Sequence, residues 1–102
     1  MSRNPTNVYP QPTPTAFDQR LAVSNTSGGY QFAAFNAFTK EVMFDIQTDA
    51  VMCTVDGSAP TATNGHELPV NTRYTWSAPM AKAAKFIRKT TDAVIHASEL
   101  TE

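Results

Sequence analysis

The sequence contains very little cysteine and histidine for its length. Cys53 is the only cysteine among 102 residues, and His66 and His96 are the only histidines. A disulfide within the chain is therefore excluded, and a cysteine-based zinc site would need ligands from a second subunit. The wide separation of the two histidines matches no metal-binding motif. We therefore expect neither a metal ion nor any other cofactor.

Charge and long apolar runs are also scarce. Charged residues make up 17% of the chain, and eight Lys and Arg against nine Asp and Glu give a formal net charge of -1. Such a chain has no basic field that would hold nucleic acid by counterion release. No apolar run approaches the roughly 20 residues that cross a bilayer, and the first residues lack the apolar core of a secretory signal. We expect no nucleic-acid binding, no membrane insertion and no export.

Motifs that carry catalysis are missing as well. No G-x-S-x-G sequence occurs, and Cys53 falls inside a predicted strand, where a small buried hydrophobe is the expected role. His66 follows an Asn-Gly pair and is expected to pin a turn. Asp49 and Asp56 stand where turns are predicted, and aspartate accepts backbone N–H bonds there. The chain is therefore predicted not to be an enzyme and to have no small-molecule substrate.

Proline, by contrast, is concentrated at the N-terminus. Pro5, Pro10, Pro12 and Pro14 alternate with Thr, Asn and Gln, and only Val8 and Tyr9 are sizeable apolar groups there. Proline fixes φ and biases the residue before it to extended geometry. Residues 1–20 are therefore predicted to form an extended, polyproline-like arm outside any central strand. The predicted contacts of this arm with a neighbouring subunit are Val8, Tyr9, Pro10, Pro12 and Pro14.

The remaining chain alternates apolar and polar residues with a period of two, which predicts strands. We expect strands near 21–23, 30–34, 41–48, 51–55, 73–76 and 93–98, with 41–48 and 51–55 joined as a hairpin through Thr48-Asp49. One short helical turn is expected in 80–87, with Lys82, Lys85, Arg88 and Lys89 on its solvated face. The predicted fold is mainly β: a single small β-sandwich or jelly-roll-like domain over 21–99, followed by a short tail over 100–102.

Two further features of the sequence are candidate sites. A loop of about ten residues follows the strand near 51–55, and its expected shaping residues are Asp56, Gly57, Asn64, Gly65 and His66. Tyr74 and Trp76 share one face of a predicted strand. They could stack on a sugar if exposed and coplanar, although packing in a core or an interface is the commoner role of such a pair.

The same loop carries a resemblance to a known group of proteins. The sequence Val51-Met52-Cys53-Thr54-Val55-Asp56-Gly57-Ser58-Ala59-Pro60-Thr61, continuing through Asn64-Gly65-His66-Glu67-Leu68, resembles small virion proteins of tailed bacteriophages. The likeness extends through Tyr74-Thr75-Trp76-Ser77 and Lys85-Phe86-Ile87-Arg88 to Ala93-Val94-Ile95-His96-Ala97-Ser98, and so covers about residues 21–99. It implies a compact β-domain in a phage particle, either a head decoration (cement) protein or a component of the head–tail junction, and it implies no catalytic residues.

The resemblance and the composition lead to one expected function and two alternatives. We expect a non-enzymatic protein that decorates and stabilises a phage capsid through its arm and its β-domain. The expected partner is the major capsid protein or another virion protein, and the expected location is the virion after synthesis in the bacterial cytoplasm. A small domain has a near-zero balance of burial against chain entropy, so a homo-oligomer is also expected. The alternatives are a head–tail connector or tail-associated protein, and a carbohydrate-binding β module.

Overall fold

The computed structural model describes residues 13–101, with side chains within 18–101. This part of the chain forms seven strands and one helix. In chain order the elements are β1 (Thr13–Val23), β2 (Glu41–Gln47), β3 (Val51–Thr54), β4 (His66–Leu68), β5 (Arg73–Ser77), α1 (Ala78–Ala83), β6 (Lys85–Arg88) and β7 (Ala93–Thr101). The six-residue helix α1 is too short to cross a bilayer, and no other helix occurs in the described part.

The strands form two antiparallel sheets around one core. The first sheet has the order β1-β7-β2-β5, and the second has the order β4-β3-β6. Three phenylalanines join the sheets: Phe44 on β2, Phe86 on β6 and Phe32 from the connection between β1 and β2, with ring centroids 5.3–6.0 Å apart. The predicted mainly β fold, with one short helix, is confirmed.

Strands β2 and β7 show why periodicity predicted the first sheet well. Val42, Phe44 and Ile46 are fully buried, whereas the residues between them are only partly covered. On β7, Ile95 and Ala97 are buried and His96 is exposed. This alternation places one face of the sheet on the core and leaves the other in solvent. The strands predicted near 41–48 and 93–98 are therefore confirmed.

The predicted hairpin of 41–48 with 51–55 is wrong. Strand β2 pairs with β5 and β7, whereas β3 pairs with β4 and β6, so the chain passes from one sheet to the other at residues 48–50. Asp49 fixes this corner: its carboxylate accepts the amide of Ala50 at 2.8 Å, and the amide and hydroxyl of Thr91 at 3.0 and 2.5 Å. These bonds join the corner to the connection between β6 and β7, where the chain returns from the second sheet to the first.

The strand predicted near 30–34 is also wrong. In this segment only Tyr30 makes a bridge, to Phe86, and no ladder continues from it. Phe32 instead turns into the core between the two sheets. The Gln19 side chain holds the following backbone, accepting the Ala33 amide at 2.8 Å and donating to the Ala33 carbonyl at 3.1 Å. The alternation of apolar residues here reflects packing at the end of the core.

The C-terminal half contains two strands that the pattern did not predict. Residues 85–88 form β6, with Phe86 and Ile87 buried, so the helical turn predicted over 80–87 is correct only for its first part. Residues 66–68 form β4 at the edge of the second sheet. The strand predicted near 73–76 is confirmed as β5. Because 85–89 is not helical, the predicted solvated helix face of Lys82, Lys85, Arg88 and Lys89 is wrong.

Both ends of the described chain lie side by side at the edge of the first sheet. Thr13 is in register with Thr101, and Pro14 with Leu100. After an irregularity between Pro14 and Asp18, the pairing of β1 with β7 continues to Val23. Residues 13–20, assigned above to the arm, therefore belong to an edge strand, as do residues 100 and 101 of the assigned tail to β7. The arm contacts Val8, Tyr9, Pro10 and Pro12 lie outside the described residues.

Candidate interaction surface

The loop that follows β3 is built from local hydrogen bonds. Asp56 accepts the amide of Ser58 at 3.0 Å and its hydroxyl at 2.6 Å, and the Ser58 hydroxyl bond is the main reason that the pKa of Asp56 lies below its usual range. Gly57 follows with a φ of +90°, a conformation that side chains disfavour. Lys85 closes this turn by donating to the Gly57 carbonyl at 3.1 Å.

The second half of the loop brings the chain back beside β3. The backbones of Thr61 and Asn64 bond reciprocally at 3.0 and 3.2 Å. Gly65 then passes so close to β3 that a Cβ on it would lie 3.0 Å from the carbonyl oxygen of Cys53. His66 pairs with Cys53 as the first residue of β4. All five residues expected to shape the loop therefore lie in it or at its return.

A shallow polar cleft lies beneath this loop. His66 is exposed in it, and its ring makes no hydrogen bond to another residue of 18–101, so the expectation that the His66 ring pins a turn is wrong. Within the described residues, no three His, Cys, Asp or Glu side chains gather as a group that could hold a metal ion. The lining residues are Thr54, Val55, Asp56, Ser58, Asn64, Gly65 and His66.

The Cys53 thiol lies away from this cleft, in the core. The residue is 1% exposed on the central strand of the second sheet, and burial raises the pKa of its thiol to about 11. A thiol with so high a pKa carries almost no thiolate at neutral pH and is a poor nucleophile. The expectation of a small buried hydrophobe at this position is confirmed.

Tyr74 and Trp76 lie on the core face of the edge strand β5, and both are half-buried. Trp76 packs edge-on against Phe44, with ring centroids 4.9 Å apart, and the Tyr74 and Trp76 rings are inclined by 52° to each other. Both rings rest on the hydrophobic core. They do not form the coplanar platform that sugar stacking would need.

The basic residues near the C-terminus are spread over several elements. Arg88 is paired with Asp92 at 2.6 Å, and Lys89 with Glu67 at 2.6 Å. Lys85 is bonded to the loop described above. Partly exposed ion pairs of this kind contribute little stability but neutralise one another locally. This region therefore presents no concentrated positive field.

The most prominent apolar feature is the turn at residues 36–39, which is not among the sites predicted from the sequence. Phe38 is 76% exposed at its tip, the most exposed large apolar side chain among the described residues. The turn is held from below by Glu99, which is only 2% exposed and accepts the Asn36 amide at 2.8 Å and the Thr39 hydroxyl at 2.7 Å. A buried carboxylate thus fixes a backbone that displays an aromatic ring to solvent.

A groove runs between this turn and the start of α1. It encloses about 450 Å³ and is mainly apolar. Phe38 is not in its wall, but it stands between the lining residues Ala37 and Thr39. We call this feature the 34–39/78–82 groove, and its lining residues are Ala34, Phe35, Asn36, Ala37, Thr39, Ala78, Pro79 and Lys82. The signal that could have indicated it is the run Phe35-Asn36-Ala37-Phe38, whose two aromatics cannot both enter the core from one short turn.

Comparison of the chain with protein-family models, with curated proteins and with solved structures finds no match in any of the three.

Proposed function

We propose that this chain is a non-enzymatic structural protein of a bacteriophage particle, which attaches to the capsid through its N-terminal arm and its β-domain. Its partner in this proposal is the major capsid protein or another virion protein, and it acts in the virion after synthesis in the bacterial cytoplasm. The resemblance of residues 21–99 to small virion proteins suggests this role. The observation that carries it in the structure is the way in which the arm joins the domain.

The arm continues directly into β1, an edge strand of the larger sheet. From Asp18 to Val23, β1 is paired residue by residue with β7, which is itself paired with β2. A force that pulls on the arm would act along β1. Such a force would be resisted by many hydrogen bonds between β1 and β7 at the same time. This connection suits a segment that holds a domain onto another subunit.

The surface of the domain suits close packing beside other subunits. Asp45 pairs with Arg73 across β2 and β5 at 2.7 Å, and Arg88 and Lys89 have acidic partners as described. Together with a net charge of -1, this pairing limits repulsion between copies crowded on one shell. The exposed Phe38 adds an apolar anchor, a residue type that is enriched in protein interfaces.

The second candidate is a head–tail connector or tail-associated protein. The same arm and the same paired surface would serve a ring of subunits, because a head-to-tail contact that closes gives a ring. The two candidates differ in stoichiometry, since a ring holds about a dozen copies or fewer whereas a shell offers sites on the order of hundreds.

The test is an add-back experiment with particles of a phage that encodes this chain. Particles are stripped of the protein by mild chaotrope, and purified wild-type protein is then titrated back. We expect saturable rebinding, weakened roughly tenfold or more in the arm variant Val8→Ser/Tyr9→Ser, because two apolar contacts are removed. The matched control, Asn4→Ser/Thr6→Ser, should rebind like the wild type.

Rebinding of the arm variant at wild-type affinity would contradict the role of the arm. Failure of the wild-type protein to rebind to any stripped particle, or its absence from the particles before stripping, would contradict the virion role as a whole.

A further inference from the structure

The arm leaves the domain at the same end of the sheet at which the 34–39/78–82 groove lies. Thr13 pairs with Thr101 on β7, and the preceding residue of β7, Leu100, pairs with Glu41 on β2. Glu41 in turn pairs with Ser77, which directly precedes α1. Three interstrand spacings, about 15 Å in all, therefore separate the start of β1 from the start of α1.

The chain before β1 is long enough to reach such a groove, on its own or on an adjacent copy. Twelve residues precede Thr13. In the extended geometry expected for a proline-rich segment they would span roughly 37 Å, at about 3.1 Å per residue.

The chemistry of the groove matches the chemistry of the arm. Proline-rich segments in extended geometry dock into apolar grooves that carry aromatic side chains, because little conformational entropy remains to be lost. Phe35 in the wall, Phe38 at the rim and Pro79 on the opposite side provide such surfaces. The only sizeable apolar side chains of the first twelve residues, apart from Met1 and the prolines, are Val8 and Tyr9.

The direction of the chain favours a groove on another copy. At Thr13 strand β1 lies beside Thr101, the last residue of β7, so a chain that bound its own groove would have to reverse direction and cross the ends of β7 and β2. In the sequence Pro10 and Pro12 shortly precede Thr13 and Pro14 follows it, and each proline fixes its own φ and disfavours a helical turn in the residue before it. A sharp reversal there is therefore opposed by local geometry.

We infer that the 34–39/78–82 groove receives residues 8–12 of the arm of a neighbouring copy of this chain. The inference rests on the proposed function, in which the arm contacts a neighbouring subunit, and it names the receiving surface. Each copy then offers both an arm and a groove, so the contact is of the head-to-tail kind that builds rings or continuous arrays.

Site-directed crosslinking of the full-length protein tests this contact. Isotopically labelled Gln11→Cys protein, which keeps both Val8 and Tyr9, is mixed with unlabelled Ala37→Cys protein and treated with a short bis-maleimide. Only contact between copies can join these two chains. Cys53 can stay in place because it is buried, and a wild-type mixture checks that it does not react. The matched control replaces Ala37→Cys with Ala62→Cys, which lies in the exposed loop after β3.

We expect the mixed crosslinked dimer of Gln11→Cys with Ala37→Cys to exceed that of the control pair by about tenfold. Equal yields in the two pairs would overturn the inference. A double variant, Gln11→Cys/Ala37→Cys, that links within one chain at dilutions where the mixed dimer no longer forms would also overturn it. If crosslinking fails while add-back succeeds, the arm contacts a different virion subunit and only the receiving surface is wrong.

Discussion

Gly65 lies where the long loop passes close against the second sheet. Its φ is +144°, and a Cβ there would lie 3.0 Å from the Cys53 carbonyl oxygen, an atom fixed within the β3 ladder. A side chain at this position therefore meets both a disfavoured backbone conformation and a rigid neighbour. Gly57 offers a matched comparison, because its φ is also positive but nothing lies within 4 Å of its Cβ position.

Gly65→Ala should lower the free energy of unfolding by about 3 kcal/mol, since conformational strain and a clash with backbone combine. Gly57→Ala should cost only about 1 kcal/mol, from the left-handed conformation alone. Urea unfolding of both variants measures the difference in their free energies of unfolding, and the comparison holds if their m-values are equal. Equal destabilisation would show that the contact between loop and strand does not constrain the fold.

Cys53 gives a pH-dependent prediction at the residue scale. Burial raises the pKa of its thiol from 9.0 to about 11, so the folded state retains the proton longer than the unfolded chain does. Stability from this residue is complete below pH 9 and is lost as the pH rises towards 11. The unfolding midpoint of the wild type should therefore fall between pH 9 and 11 more steeply than that of Cys53→Ala. If the unfolding midpoints of the two proteins changed with pH in parallel, the raised pKa of the Cys53 thiol would be contradicted.

At the scale of elements, a single buried carboxylate ties the turn at residues 36–39 to β7. The turn has its own bonds from the Thr39 and Phe38 amides to Asn36, but both of its bonds to β7 from Asn36 and Thr39 reach the same oxygen, Oε1 of Glu99. Glu99→Ala leaves the Asn36 amide and the Thr39 hydroxyl without a partner and should cost about 2–4 kcal/mol. Glu99→Gln retains an oxygen at this place and should cost about 1 kcal/mol.

Denaturant unfolding of the two Glu99 variants, together with hydrogen exchange of the Asn36 amide, checks this prediction. Exchange at Asn36 should accelerate strongly in Glu99→Ala and only slightly in Glu99→Gln. If both variants exchanged at the wild-type rate, the turn would be held by other contacts, and its display of Phe38 would need another explanation.

Most of the strands that periodicity predicted have a burial pattern that matches their alternation. Strands β2, β5 and β7 each have one face on the core, and their pattern could be read directly. Strand β3 was predicted from its alternation near 51–55 although each of its four residues is buried. Strand β6, which was not predicted, is buried at both of its central positions and does not alternate. Phe86 and Ile87 could therefore extend a helical pattern equally well. The three residues of β4 were too few to show a period.

The errors of connectivity have a different cause. A turn at Thr48-Asp49 predicts a change of direction, but the sequence does not say whether the next strand pairs with the last one or joins another sheet. Asp49 decides this by bonding to Thr91, a partner 42 residues away. The Phe38 turn was missed for the same reason, since it depends on Glu99, 60 or more residues further along the chain.

At the scale of the whole molecule, two passages between the sheets lie side by side. Residues 48–50 carry the chain from the first sheet to the second, and residues 89–92 carry it back, joined by the Lys89 amide to the Ala50 carbonyl at 3.2 Å. The arm joins the domain at an edge of the larger sheet, where Thr13 meets Thr101 at the end of β7. The domain thus combines a closed core with an edge strand from which, in the proposed function, the preceding segment reaches another subunit.

The number of copies of this chain in purified virions tests the virion role most directly. Quantitative mass spectrometry, with a capsid subunit of known copy number as the internal standard, measures it. Decoration of the capsid predicts on the order of hundreds of copies per particle, and the connector alternative about six to twelve. Absence of the chain from purified virions would contradict both.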